Sequence, residues 1–254
     1  MSGHSKWATT KHRKGAQDAK RSALFGKLAR QITVAAKEGG DPNPDNNASL
    51  AAAISKAKSY SLPNSNIENA IKNAFGRDAN AAAFENVVYE GYGPAGIAVY
   101  VECLTDNRNR TASDVRSSFT HSGGNLGTSG SVAFQFERKG EIVIDKSENE
   151  DLSEDDLMMA VAEAGGEDYE DNGDGWTVYT EATDLKAVED GLGEQNVKVK
   201  GSELTMIPVT TTQVSVGDAK KVMRLVDKLE DLDDVQNVYH TMEMTDEIVE
   251  ALDE

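Results

Sequence analysis

The sequence predicts a multi-domain α and α+β protein: an N-terminal helical bundle followed by two α+β units, one inserted in the other. Three observations carry this. Apolar residues recur at a spacing of three to four through about residue 76, and the spacing switches to two near Val87. Strand-like and helix-like segments then alternate to the end, and 254 residues exceed the usual size of one domain.

Leu24, Leu28, Ile32 and Ala35 place one apolar stripe on a helix running from about Ala19 to Ala36, which Gly39-Gly40 ends. Asp41 to Pro44 reads as a turn. Leu50, Ala53, Ile54 and Ala57 then repeat the helical spacing to about Tyr60. After the break at Pro63-Asn64, a third helix carries Ile67, Ala70, Ile71, Ala74 and Phe75 on one face. Residues 1 to about 17 have no stripe to bury and read as an arm. Arm and helices form the expected first domain, residues 1–80.

Past the Ala-rich link at 79–83, the runs Val87 to Glu90 and Ile97 to Glu102 are β-branched and aromatic, joined by a Gly-rich hairpin connection. A helix is expected from Thr111 to His121. Further on come strands at Val132 to Phe136 and Glu141 to Ile144, a helix at Leu152 to Ala164, a hairpin turning at Asn172-Gly173, and a helix at Asp184 to Leu192. An extended run near Leu204 to Val216, a helix at Asp218 to Leu232 and a strand at Val235 to His240 close the chain. A strand-strand-helix fragment leaves one sheet face and one helix stripe exposed. The expectation is therefore that residues 81–130 and 205–254 form one discontinuous α+β domain, with 131–204 inserted as a second.

The charge is strongly asymmetric. Residues 1–37 hold nine Lys and Arg (Lys6, Lys11, Arg13, Lys14, Lys20, Arg21, Lys27, Arg30, Lys37) against Asp18, about +8, whereas the whole chain is −18. Residues 38–254 therefore carry 17 basic and 43 acidic side chains, a net of −26. A cationic arm on an acidic body is an electrostatic handle for phosphate backbones. Other classes of function find little support. No apolar run approaches the ~18 residues of a membrane span. No apolar signal core opens the chain, and little periodicity precedes Ala23 to suggest a transit peptide, so a cytoplasmic protein is expected. The single Cys103 cannot form an intramolecular disulfide and reads as a buried small hydrophobe. His4, His12, His121 and His240 show no metal-ligand spacing, so no metal or cofactor is expected.

Several motifs resemble the YebC/PmpR family: GHSKW at Gly3 to Trp7, KHRKGAQDAKR at Lys11 to Arg21, ITVAAKEGGDP at Ile32 to Pro42, YEGYGPAG at Tyr89 to Gly96, LTDNRNRTASDVR at Leu104 to Arg116 and GGNLGTSGSVAFQFERKG at Gly123 to Gly140. The resemblance covers nearly the whole chain. It implies a helical domain with two ferredoxin-like α+β domains and a cytosolic, non-enzymatic regulator of gene expression. Bacterial relatives are described as DNA-binding transcriptional regulators, and mitochondrial relatives as translational activators with a ribosome-associated role attributed to bacterial ones. The partner is accordingly DNA or ribosomal RNA, with the ribosome as a further candidate and no small-molecule substrate evident. One departure stands out: where relatives often carry arginines at the start of the second helix, this chain reads Asn46-Asn-Ala-Ser-Leu-Ala-Ala-Ala, with no cation before Lys56.

The candidate nucleic-acid-binding residues are Lys6, Lys11, Arg13, Lys14, Lys20, Arg21, Lys27 and Arg30 for phosphates, with Trp7 and His12 able to stack on unpaired bases. Six to eight neutralised phosphates imply a slope of log affinity against log salt of about −5 to −7. Arg108, Arg110 and Arg116 form a second basic spot, which pairs either with phosphate or with the abundant acids. The glycine-rich Gly123 to Gly130 resembles a phosphate cradle but precedes a strand and lacks Gly-Lys-Ser/Thr, so a loop is expected. Glu170 to Glu181 nearly spells a calcium loop, yet strand-like sequence flanks it and a hairpin is expected. The acidic stretch Asp145 to Asp190, 17 acids against Lys146 and Lys186, reads as solvated surface, with basic ribosomal or polymerase proteins as conceivable partners. An enzyme hidden in this acidic centre is the weakest alternative, because no catalytic motif occurs in its required context.

Overall fold

The computed structural model describes residues 18–76 and 84–253. Three helices open it: α1 (Asp18–Gly39), α2 (Ala48–Ser59) and α3 (Asn64–Ala74). Their apolar stripes meet in a core of Leu28, Ile32, Ala36, Leu50, Ala57, Leu62, Ile67, Ala70 and Ala74. The Asn-rich entry to α2 has a structural role. Buried Asn47 accepts from Leu50 N through its amide oxygen at 3.1 Å and donates through Nδ2 to Ala35 O and Asp41 O, each at 3.1 Å. One side chain thus caps α2 and fastens it to the end of α1.

Two four-stranded antiparallel sheets follow. The first has the order β3-β1-β2-β8, built from β1 (Glu85–Tyr92), β2 (Ala98–Thr105), β3 (Asn125–Leu126) and β8 (Val235–His240). Helices α4 (Arg108–His121) and α7 (Val216–Glu230) share a core with it: Val99, Val101, Val115, Phe119, Val222, Leu225, Val226, Leu229 and Val238 are at most 1% exposed. The second sheet has the order β5-β6-β4-β7, from β4 (Phe136–Asp145), β5 (Asp168–Asp171), β6 (Gly175–Glu181) and β7 (Gly201–Pro208). It packs with α5 (Glu154–Ala164) and α6 (Leu185–Glu194) around Ile142, Ile144, Leu157, Trp176, Val178 and Leu192. A last helix, α8 (Asp246–Asp253), adds Ile248 to the first core.

The architecture expected from periodicity is present, with four differences. The extended run from Leu204, assigned above to the flanking domain, belongs to the second sheet: β7 pairs with β4 from Phe136↔Pro208 to Val143↔Gly201. An edge of the first sheet is formed by two-residue β3, which pairs with Gly91 and Tyr92. The two short strands expected at 132–136 and 141–144 are replaced by a single turn of 3-10 helix, Ala133–Gln135, and one ten-residue strand. Arg138 and Lys139 in mid-strand hid that continuity, because half of a strand's side chains leave the core. Helix α4 starts three residues before the expected Thr111, since Asn107 is its cap and accepts from Arg110 N at 3.1 Å. Helix α8 was not anticipated.

The helical bundle docks on both sheets. Lys56 Nζ reaches Glu203 Oε2 at 2.7 Å and Asn237 Oδ1 at 3.0 Å, and Tyr60 donates to Glu203 Oε1 at 3.1 Å. Ser55 meets Ser202 where a Cβ on Gly201 would lie 2.3 Å from Ser55 O, so only glycine lets β7 come this close to α2.

Candidate nucleic-acid interface

The first turns of α1 continue the cationic segment. Lys20 lies in the opening turn, and the exposed Arg21 guanidinium sits over the Phe25 ring, 5.2 Å from its centroid. Two turns further, positive charge turns inward. Lys27 Nζ donates to Glu230 O, and Arg30 donates to Asp233 O at 3.1 Å, lies 3.8 Å from Asp234 Oδ1 and stacks on Phe84 at 5.5 Å. Gln31 bonds Gln236 at 2.9 Å on the same seam. Lys27 and Arg30 therefore join the bundle to the α7-β8 corner.

Asp234 organises the second basic spot. It is 9% exposed and accepts from Thr111 Oγ1 and Arg110 Nη2, both at 2.8 Å, and from Thr105 Oγ1 at 3.3 Å. Burial pushes its carboxyl up, but the bonds from Arg110 and Thr111 outweigh that and hold it below the ordinary carboxylate range. Arg110 also bonds Asp106 at 2.8 Å, and both acids push its own proton affinity up. Arg108 lies 3.5 Å from Glu85 while remaining exposed. Arg116 is exposed and has no ion pair among the described residues. At Arg108 and Arg110, pairing with acids is what the structure places.

The glycine-rich segment is a loop interrupted by the two residues of β3, and Gly130 at its end, with Val132 and Ala133 just after it, does cradle an anion, but one of the protein's own. Glu90, 4% exposed, accepts from Gly130 N at 2.7 Å, Val132 N at 2.8 Å and Ala133 N at 2.7 Å. Burial pushes this carboxyl up, and the three amides more than offset it, leaving it below its ordinary value. The near-calcium segment is the hairpin β5-β6. Lys146 places its ammonium 2.8 Å from Asp171 Oδ1 and 4.7 Å from the Trp176 ring. Cys103 is buried, and burial followed by the charge of Asp234 pushes its thiol up to about 12, far from thiolate reactivity. No group of three or more His, Cys, Asp or Glu among the described residues can hold a metal, and no described helix is long and apolar enough to cross a membrane.

Of the candidate residues, Lys6, Trp7, Lys11, His12, Arg13 and Lys14 lie outside the described residues. Arg21 is brought to the free end of α1, Lys27 and Arg30 to an internal seam, Arg108 and Arg110 to acids, and Arg116 to open surface. Sequence reasoning passed over Lys220, Arg224 and Lys228, which line one exposed side of α7 at four-residue spacing. That spacing was visible beside the apolar stripe Val222, Leu225, Val226 and Leu229. It also passed over Phe25 and Asn66, which flank Arg21 across the α1-α3 boundary.

The chain matches the family model described as TACO1/YebC protein N-terminal domain over residues 5–77, and that described as TACO1/YebC second and third domain over residues 84–242. It is 50% identical over 254 residues to a protein of Beutenbergia cavernae designated "Probable transcriptional regulatory protein", covering all of both chains. A Streptomyces avermitilis protein of the same designation is 47% identical over 253 residues, again covering 100% of each. The fold is similar to the crystal structure of a conserved hypothetical protein from Aquifex aeolicus, with a TM-score of 0.79, 42% identity, and coverage of 91% of this chain and 93% of that one.

Proposed function

The chain belongs to the TACO1/YebC family, and on that premise we propose that it is a non-enzymatic regulator of gene expression that grips nucleic acid through its N-terminal cations. The observation that carries this reading is the segregation of charge: about +8 on residues 1–37 against −26 on the rest. A body so acidic repels polyanions, so binding must run through the arm and the free end of α1. The designation of the relatives favours DNA and a role in transcription.

A second reading, a translation factor on ribosomal RNA, is favoured by one observation. Duplex readers of the helix-turn-helix type present a basic helix to the major groove. Here α2 and α3 offer Lys56, Lys58 and Lys72, of which Lys56 is tied to Glu203 and Asn237 and Lys72 lies 3.9 Å from Glu68.

With Lys27 and Arg30 engaged internally, six cations remain up to Arg21: Lys6, Lys11, Arg13, Lys14, Lys20 and Arg21. The slope of log affinity against log salt is then about −5 on duplex DNA and about −4 on a single strand. Titration of the full chain and of a variant with Lys11, Arg13 and Lys14 changed to Glu tests this. A flat salt response, or full affinity in the variant, removes the proposal. Sedimentation of cell extract distinguishes the polymers: arm-dependent co-migration with ribosomes favours the second reading, arm-dependent retention on promoter DNA the first.

A further inference from the structure

A cleft of about 400 Å³ runs between α1 and the start of α3, lined by Arg21, Ser22, Phe25, Gly26, Ala29 and Asn66. Phe25 is half-buried and packs against the bundle core as Leu24 does, and Arg21 lies over its ring at 5.2 Å. Opposite, Asn66 is exposed in the first turn of α3, with a side-chain amide that can both donate and accept.

Gly26 is the telling residue. Glycine inside a helix is unfavourable relative to alanine, because its backbone has more freedom to lose. Here no positive φ is involved, and among the described residues a Cβ built at this position meets no atom within 4 Å beyond its chain neighbours and the backbone of its own helix. The missing side chain leaves its part of the cleft wall open. A guanidinium plane backed by an aromatic ring, an adaptable amide across a gap and an open approach is what a flat π system requires. The charge names the polymer that carries it. The cleft opens directly after Lys20, where residues 1–21 hold six Lys and Arg against Asp18, about +5, so an acidic strand delivered by the arm reaches it first.

We propose that the α1-α3 cleft receives an unpaired base of a single-stranded nucleic acid, stacked on the Arg21 guanidinium that overlies Phe25 and contacted at its edge by the Asn66 amide. This rests on the nucleic-acid reading of the arm and makes it more specific: the arm supplies affinity, and the cleft supplies a preference for unpaired over paired strands. A base within a duplex is stacked on its neighbours and cannot enter.

The test uses the full chain with oligoadenylate as RNA and as DNA, each carrying one 2-aminopurine, and a duplex of equal length, at fixed salt. Gly26→Leu fills the cleft from an exposed helix position with a better helix former, so the fold is kept, and Gly26→Ala is the control for helix stability. The expected result is 2-aminopurine quenching on binding, with single-strand affinity falling about tenfold in Gly26→Leu, the scale of one lost base stack. Duplex affinity and the salt slope stay unchanged. A loss in either single-strand arm supports the cleft, and the larger loss names the sugar. Wild-type single-strand affinity in Gly26→Leu, while the Lys11, Arg13 and Lys14 charge reversal abolishes binding, overturns the cleft and leaves the proposed function standing. Absence of binding to all three polymers by the wild-type chain at low salt overturns both.

Discussion

Glu90→Gln isolates what holds the glycine-rich loop. The carboxylate accepts three backbone N–H groups, Gly130 on Oε1 and Val132 and Ala133 on Oε2, at 2.7–2.8 Å. An amide has one oxygen. If it keeps the Oε2 site, its NH2 faces the Gly130 N–H, donor against donor. Hydrogen bonds to a charged group are worth about 1.5–3 kcal/mol and neutral ones about 1 kcal/mol. Losing one charged bond costs about 2 kcal/mol, and converting two to neutral ones removes about 1 kcal/mol each, so the expected destabilisation is about 4 kcal/mol. Two readouts are needed because the chain has several units and does not unfold as one. Urea denaturation gives the free-energy change, and native-state hydrogen exchange at Gly130, Val132 and Ala133 locates it. The reasoning is refuted if the variant loses less than about 1 kcal/mol, or if those three amides exchange no faster than in the parent.

Acid should act on the same unit. Glu90 and Asp234 are both held below their ordinary values in the fold. Their stabilisation is therefore complete above the unfolded-state range of about 4 and is lost as pH falls through the lower folded values. Urea midpoints should be level from pH 7 to 5 and fall steeply below about 4, and a Glu90→Gln, Asp234→Asn double variant should flatten that fall. At the bundle docking site, Lys56 and Glu203 side chains are 12% and 10% exposed and 2.7 Å apart. Lys56→Met removes the ammonium from a buried carboxylate and should cost about 3 kcal/mol, with Lys56→Met, Glu203→Leu recovering at least half; a double variant as unstable as the single would contradict this. The division into units is testable by limited proteolysis near Gly130 and Thr211. Because β7 pairs with β4, a fragment reaching Pro208 should stay folded by Trp176 fluorescence, whereas one ending at Leu204 should not.

The helices other than α8 were legible because each buries a single stripe. Val222, Leu225, Val226 and Leu229 are all below 1% exposed, as their spacing demands. Strand pairing was less legible, because period two says which face is buried and nothing about which neighbour lies alongside. Residues 204–208 could complete either sheet on pattern alone. What decides is the long edge of β4, whose ten residues need a partner, and the approach of Gly201 to α2. The hidden anion at the glycine-rich loop was illegible for a related reason. Glu90 looks like one more acid among 44, and only the fold turns three amides toward it.

The cations show why counting charge overstates an interface. Lys27 and Arg30 belong to the same run as Lys20 and Arg21, yet their partners are carbonyls and a carboxylate more than 200 positions later. A body with net −26 offers acceptors wherever a cation comes within reach, and it engages Arg110, Lys139 and Lys146 in the same way. Availability for an external polyanion is therefore set by distance from the acidic body. Along α1 that distance shrinks by about 1.5 Å per residue toward the α7-β8 corner. Arg21 stays exposed and Lys27, six residues on, does not. The boundary between exposed cations and joint falls inside one helix, between Arg21 and Lys27.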